Sequence, residues 1–250
     1  MAFALAKAIK KAKLAKSIIA SDLHQERLDF LKKELKIGTR KDNKEVVNKS
    51  DIIFLAVKPQ VIDSVLDEIK ETDKLIISIA AGIKLSRLES KLKKAKVVRV
   101  MPNTPCLVGE MAAGFSIGKK VSDNETKIVE AILNSAGKVF YLNEDLLDAV
   151  TGLSGSGPAF VARFIEAFIE AGNKQGLNKD IATELTIQTF LGTAKLLQES
   201  GMKPEELVNL VSSPNGTTVA GREILEKSNY KDIIIKTIEK ATKRSKELGE

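Results

Sequence analysis

The sequence predicts an α/β half followed by an all-α half. Three observations carry this. Short β-branched runs alternate with amphipathic helical segments as far as Leu142. No strand-like run follows Asn143. The helical patterns after Pro158 are long, and the first of them is apolar over a wide arc. Alternation of the first kind gives parallel βαβ units, and the change of pattern implies two domains, expected at 1–147 and 148–250.

The elements follow in order. Phe3 to Lys11 reads as a helix, Ser17 to Ala20 as a short strand and Gln25 to Leu35 as a helix. A short helix at Val46 to Lys49 leads to a strand at Asp51 to Val57. Pro59 to Ile69 is helical, Leu75 to Ile79 a strand, Leu85 to Leu92 helical and Val97 to Met101 a strand. Ala112 to Ile117, Asp123 to Ala136 and Lys138 to Leu142 add strand, helix and strand. Helices are then expected at Pro158 to Gln175, Lys179 to Glu199, Pro204 to Leu210, Val219 to Lys227 and Lys231 to Leu248. Asn178 ahead of Asp180 is a suitable cap for the second of these.

At 250 residues, 43% hydrophobic and 29% charged, the chain is long enough for one large or two modest globular cores. No apolar run reaches the ~18 residues of a membrane span, and no membrane partner is expected. The basic start has no signal-peptide cleavage pattern. The net charge of +7 arises entirely in residues 1–50, with thirteen Lys/Arg against six Asp/Glu. Those lysines are interleaved with acids on helical segments, and no aromatic RNA-binding signature or zinc-ligand spacing accompanies them. Nucleic acid and metal are therefore not expected as ligands. The single cysteine, Cys106, excludes an internal disulfide and fits a reducing, cytoplasmic setting.

Two stretches carry the chemistry. Leu153-Ser154-Gly155-Ser156-Gly157-Pro158-Ala159-Phe160 joins small residues to a helix start, with Pro158 suited to a first turn. Val211-Ser212-Ser213-Pro214-Asn215-Gly216-Thr217-Thr218-Val219-Ala220-Gly221 repeats the logic, and the N–H groups at such a start form a site for a carboxylate or phosphate. Either stretch alone reads equally well as a tight capping turn. Together they resemble pyrroline-5-carboxylate reductase, the last enzyme of proline synthesis. Val97-Val98-Arg99-Val100-Met101-Pro102-Asn103-Thr104-Pro105 is similar to that family's domain-bridging segment. Leu55-Ala56-Val57-Lys58-Pro59 is similar to its strand and cofactor loop, and Asp145 to Gly152 to the lead into its first long helix.

The resemblance implies a Rossmann-like N-terminal domain followed by an all-α helical dimerisation domain. It implies NADPH or NADH as cofactor, 1-pyrroline-5-carboxylate and L-proline as substrate and product, and a homo-oligomer of at least two chains. It also places the active site between the domains, with helices of the partner subunit contributing. By the same resemblance, Ser213, Gly216 and Thr217 offer amides and hydroxyls to the substrate carboxylate. Thr218 is the catalytic position, its hydroxyl near the imine nitrogen. Plain helix capping is the alternative for Thr217 and Thr218. Asn215 stands where many members have a small residue. Glu199 matches an acidic residue near the substrate, with a one-residue offset onto Ser200 as the alternative.

For the cofactor, Ala56, Val57, Lys58 and Pro59 match a loop that packs on the dinucleotide, and Ala80, Ala81 and Gly82 close the next strand in the same way. Asn43 matches an asparagine near the adenosine. Ser21 and Asp22 are expected to discriminate NADH from NADPH, with Arg27 and Lys32 near enough in sequence to oppose the aspartate. His24 is expected at the surface. Cys106, with no histidine beside it, is not expected to act as a nucleophile.

A strand and a Gly-rich turn, G-x-G-x-x-G/A, normally open a doubly wound nucleotide domain. The family places them directly ahead of a helix similar to Met1 to Ile9, so this sequence is expected to begin inside the pyrophosphate loop. A longer natural protein is the preferred explanation; a fragment, or a shortened product inactive as a reductase, are the others. Loss of that central strand is expected to leave two interior sheet edges or force repacking. The rival functional readings are a related imine or hydroxyacid reductase and a non-catalytic dimeric binder of small anions.

Overall fold

The computed structural model describes residues 1–249, which divide into two compact units. One comprises Met1–Pro158 together with the chain from Ile238 onward; the other is Ala159–Thr237.

The first unit is built on two sheets. β1 (Ile19–Ser21) pairs in parallel with β2 (Gly38–Arg40). The larger sheet runs β3 (Ile52–Leu55), β4 (Leu75–Ser78), β5 (Lys96–Met101), β6 (Met111–Ile117) and β7 (Gly137–Tyr141) in that spatial order. Among the described residues β1 bonds only to β2, and β3 only to β4, so each has one unpaired edge. β2 was not expected: Gly38-Thr39-Arg40 has no apolar alternation, and the Gly38 N–H bonded to the Ile18 carbonyl starts its ladder. β3, β4 and β5 are mutually parallel, whereas β6 runs antiparallel to β5. The link 102–110 holds only a tight turn at Thr104–Val108, too short for the crossover a parallel neighbour needs.

Helices cover both faces of the large sheet. Alternate strand residues point to opposite sides, and both sides are dry. Ile77 and Val98 join Phe115, Val129 of α6 (Asp123–Asn134) and Leu5 of α1 (Ala2–Lys11) in one cluster. Ile76 and Val97 join Ile62 and Leu66 of α4 (Ile62–Glu68) and Leu88 of α5 (Leu85–Lys91) in the other. Burial of each such side chain stabilises the unit by roughly 1.5–3 kcal/mol. α2 (Gln25–Leu35) and α3 (Asn43–Asn48) pack beside the β1–β2 pair. α6 begins in a capping box: Ser122 Oγ accepts from the Glu125 N–H, and the Glu125 carboxylate accepts from the Ser122 N–H.

After β7 the chain forms α7 (Leu147–Val150) and a single π turn, Thr151–Gly155, closed by the Ser156 N–H on the Thr151 carbonyl at 2.8 Å. Arg99, buried in β5, lies 2.9 Å from Glu144 and 4.0 Å from Asp148. Asp148 in turn accepts from Ser245 Oγ at 2.6 Å, so one polar chain ties β5 to α7 and to the end of α12 (Tyr230–Leu248).

The second unit is helical: most of α8 (Gly157–Lys174), then α9 (Lys179–Ser200), α10 (Pro204–Leu210), α11 (Thr217–Lys227) and the start of α12. Asn178 caps α9 by accepting from the Ile181 N–H at 2.8 Å, as its sequence position implied. α8 and α9 meet where Gly172 faces Ala182 and where Phe168 and Phe190 stack edge to face at 5.1 Å. α8 nevertheless has no buried residue, and α9 has only Ala182 and Thr186. α11 starts two residues earlier than its apolar pattern indicated. The preceding turn ends at Gly216, leaving Thr217 and Thr218 in the first helical turn, where β-branched side chains meet no preceding turn.

Candidate functional site

The candidate cofactor residues lie at the carboxyl ends of parallel strands, where open α/β sheets take their ligands. Ser21 ends β1, and its hydroxyl donates to Asn43 Oδ1 at 2.7 Å. Asn43 Nδ2 donates onward to Glu68 at 2.7 Å. The structure therefore brings Ser21 and Asn43, 22 residues apart, into contact. Asp22 is occupied on both oxygens: one accepts the His24 N–H at 2.9 Å, and the other faces Arg27 at 3.4 Å.

Beyond β3, Ala56 and Val57 are half-buried and Lys58 is exposed. Lys58 is extended (φ −68°, ψ 148°), as the residue before Pro59 must be, and Pro59 opens a tight turn into α4. Beyond β4, Ala80 is buried, Ala81 exposed and Gly82 half-buried. Gly82 sits at φ +75°, a conformation that favours glycine, and a Cβ there would lie 3.1 Å from the Leu248 carbonyl oxygen. Of these loop residues only Lys58 and Ala81 are exposed, and together with the polar Ser21–Asn43 pair they line the strand ends.

The substrate-side residues Ser213, Gly216, Thr217 and Thr218 all belong to the second unit. The Gly216 N–H donates to the Ser213 carbonyl at 3.0 Å, across a turn with Pro214 and then Asn215 at φ +60°. Proline followed by a left-handed residue is the pattern of a type II turn, and asparagine is among the side chains that accept that conformation. Gly216 caps α11 without a side chain, so the N–H groups of Thr217, Thr218 and Val219 have no partner among the described residues. The Thr217 and Thr218 side chains are exposed, and neither hydroxyl makes a hydrogen bond among the described residues. Capping therefore does not account for either threonine. Arg222, one turn on, reaches back to Ser212 Oγ at 3.3 Å and ties the loop to its helix. Glu199 is exposed near the end of α9, 3.6 Å from Lys195.

Gly155 of the other motif and Gly152 just before it make close contacts inside the protein, whereas a Cβ on Gly157 would meet nothing within 4 Å. Gly152 is pressed against Thr242 and the Ile238 carbonyl of α12, and a Cβ on Gly155 would lie 2.5 Å from Met101 Cε. Asn103, 7% exposed, joins this segment to the sheet. Its Nδ2 donates to the Ser154 carbonyl at 3.1 Å, and its Oδ1 accepts from the Ala112 N–H at 3.0 Å. Sequence reading quoted Asn103 only within the bridging segment and did not single out Arg222; neither an asparagine beside a turn nor an arginine on a helix shows its partner until the fold does. Burial pushes the Cys106 thiol up from its usual value, which disfavours the thiolate and any nucleophilic use.

Comparison with known proteins agrees with this arrangement. Residues 144–248 match the family described as pyrroline-5-carboxylate reductase dimerisation, and residues 1–82 the family described as NADP oxidoreductase, coenzyme F420-dependent. The chain is 40% identical over 242 residues to a pyrroline-5-carboxylate reductase of Synechocystis, covering 96% of this chain and 91% of that one. A solved pyrroline-5-carboxylate reductase from Coxiella burnetii superposes with a TM-score of 0.95 at 34% identity, covering 100% of this chain and 95% of that one. The Plasmodium falciparum enzyme, solved with NADP bound, superposes with a TM-score of 0.86 at 35% identity, covering 99% and 94%. On this similarity, which spans both units, the chain belongs to the pyrroline-5-carboxylate reductase family.

Proposed function

We propose that the chain reduces the cyclic imine of 1-pyrroline-5-carboxylate to L-proline with NADPH or NADH. The observation that carries this reading is the start of α11. Three N–H groups, those of Thr217, Thr218 and Val219, have no partner among the described residues and stand beside two threonine hydroxyls that make no hydrogen bond among them. A helix start of this kind binds a carboxylate, with ~0.3–1 kcal/mol from the helix dipole at an exposed site and more when the ligand covers it.

In this reading the N–H groups and the Ser213 hydroxyl hold the substrate carboxylate, and the Ser213–Gly216 turn fixes their direction. The Thr218 hydroxyl hydrogen-bonds the ring nitrogen and keeps the nitrogen's proton in place as the imine becomes an amine. Bound NAD(P)H supplies the hydride that reaches the imine carbon. Ser21 and Asn43 hold the adenosine end, while Ala56 to Pro59 and Ala80 to Gly82 let the cofactor approach the strand ends. Glu199 enters on the family pattern, as a carboxylate on the substrate side. The residues do most of their work by positioning, which suits a reaction whose hard step belongs to the cofactor.

The working form is a homo-oligomer of at least two chains. Val161, Phe164 and Phe168 on α8 and Leu185 and Leu191 on α9 are all more than 40% exposed, an apolar surface that a second copy would cover. No helix among the described residues is long and apolar enough to cross a membrane. A reducing, cytoplasmic setting completes the proposal and suits the single buried cysteine. Steady-state assays of the purified chain with 1-pyrroline-5-carboxylate and each cofactor test the reading. It expects cofactor oxidation matched by proline formation; no proline with either cofactor overturns it.

A further inference from the structure

We propose that Asn103 is a positioning residue for hydride transfer, acting through the π turn Thr151–Gly155. The inference rests on the reductase reading above. Its starting point is the Ser154 carbonyl. In a continuous α-helix that oxygen would accept from the N–H of residue 158, four positions on. Residue 158 is proline and has no N–H. A carbonyl deprived of its helical donor in this half-buried segment takes another partner. Asn103 Nδ2 supplies it at 3.1 Å.

The other end of the same amide is equally fixed. Asn103 Oδ1 accepts from the Ala112 N–H at the start of β6, so the side chain spans from the sheet to the turn with both polar atoms satisfied. Gly155 lies close over Met101, the last residue of β5, where a Cβ would come 2.5 Å from the flexible Cε tip. The turn is thus pinned over the carboxyl end of β5. β3, β4 and β5 lie side by side and parallel, so this is the next strand end after those of Ala56–Pro59 and Ala80–Gly82. With the adenosine held at Ser21 and Asn43, a dinucleotide crossing the β3 and β4 ends would bring its nicotinamide toward β5 and the turn. Asn103 does not touch the reacting atoms. It sets the height of the backbone that borders them.

The test uses the full chain and three variants. Asn103→Ala removes both bonds. Asn103→Asp keeps the acceptor for Ala112 and places an oxygen against the Ser154 carbonyl. Asn103→Ala with Pro158→Ala returns an N–H to residue 158, so that Ser154 regains a backbone donor. A turn displaced by a fraction of an ångström to about 1 Å lowers kcat by ~10- to 100-fold in both single variants, with KM for 1-pyrroline-5-carboxylate changed far less. The double variant recovers a large part of kcat. Circular dichroism melts run alongside, because a merely structural role would lower the folded fraction without moving kcat per folded molecule. Wild-type kcat in Asn103→Ala, or recovery of the melt but not of kcat in the double variant, overturns the assignment. A wild-type chain that forms no proline overturns the reductase reading and this assignment with it, and is told apart by the first assay.

Discussion

The Gly216 N–H donates to the Ser213 carbonyl at 3.0 Å, and a Cβ on Gly216 would lie 2.5 Å from the Ser213 hydroxyl oxygen and 2.9 Å from its carbonyl oxygen. The turn that presents the α11 amides therefore closes only over a residue without a side chain. Its φ of −78° is ordinary, so the requirement is one of space. Gly216→Ala must push Ser213 aside at a cost of about 1–3 kcal/mol, in the range of other overpacking changes. KM for 1-pyrroline-5-carboxylate should rise while cofactor affinity holds. Kinetics with each substrate varied in turn measure both.

On the proposed function, Thr218 is the residue at which binding and catalysis should separate. Its hydroxyl makes no hydrogen bond among the described residues, and Gly216 occupies the cap position. Thr218→Ala should therefore leave stability within ~0.5 kcal/mol, the scale of a surface change, since alanine is also the better helix former. Turnover should fall, and Thr218→Ser should restore much of it by returning the hydroxyl. A denaturation curve beside steady-state kinetics checks the pair of outcomes.

Arg99 is almost fully enclosed and faces Glu144 and Asp148. Arg99→Met leaves the two carboxylates without their cation. Breaking such a pair by removing one partner costs about 3–5 kcal/mol. Urea denaturation should show the loss as a lowered midpoint with little change in slope.

Glu125 links α6 to the start of β5, the central strand of the large sheet. The Lys96 ammonium at 2.6 Å, then the Ser122 N–H, hold its carboxyl down to about 2, against 4.5 when free. A depressed folded-state value stabilises the protein above the free value and loses that contribution as pH falls through the folded one. The contribution is thus complete above about pH 4.5 and disappears toward about pH 2. Glu125→Gln should flatten this part of the stability–pH curve while keeping a capping partner for Ser122. Thermal melts of both proteins across that range show it.

Particular residues show how much could be read in advance. The alternation of Asp51–Val57, Leu75–Ile79 and Val97–Met101 with amphipathic segments was enough for the large sheet, because burial on both faces demands runs of β-branched residues. Gly38-Thr39-Arg40 was illegible as β2, since its place depends on a ladder with Ile19–Ser21 rather than on its own pattern. The Pro214-Asn215-Gly216 turn could be read from turn chemistry alone. The exact start of α11 could not, because Thr217 and Thr218 suit a loop and a first turn equally. Gly155 was legible as part of a tight turn of small residues, but not that it approaches Met101, and the contact of Gly152 with Thr242 was not foreseen. Asn103 was legible only as part of the bridging segment, because its partner depends on a proline 55 positions away.

The most direct test follows the hydride itself. NADPH and NADH deuterated on the transferring face of the nicotinamide are supplied with 1-pyrroline-5-carboxylate, and the proline is examined by mass spectrometry and NMR. The account predicts one deuterium per proline, on the former imine carbon, with a matching loss of reduced cofactor. Proline without deuterium at that carbon, or cofactor oxidised with no proline formed, would contradict it.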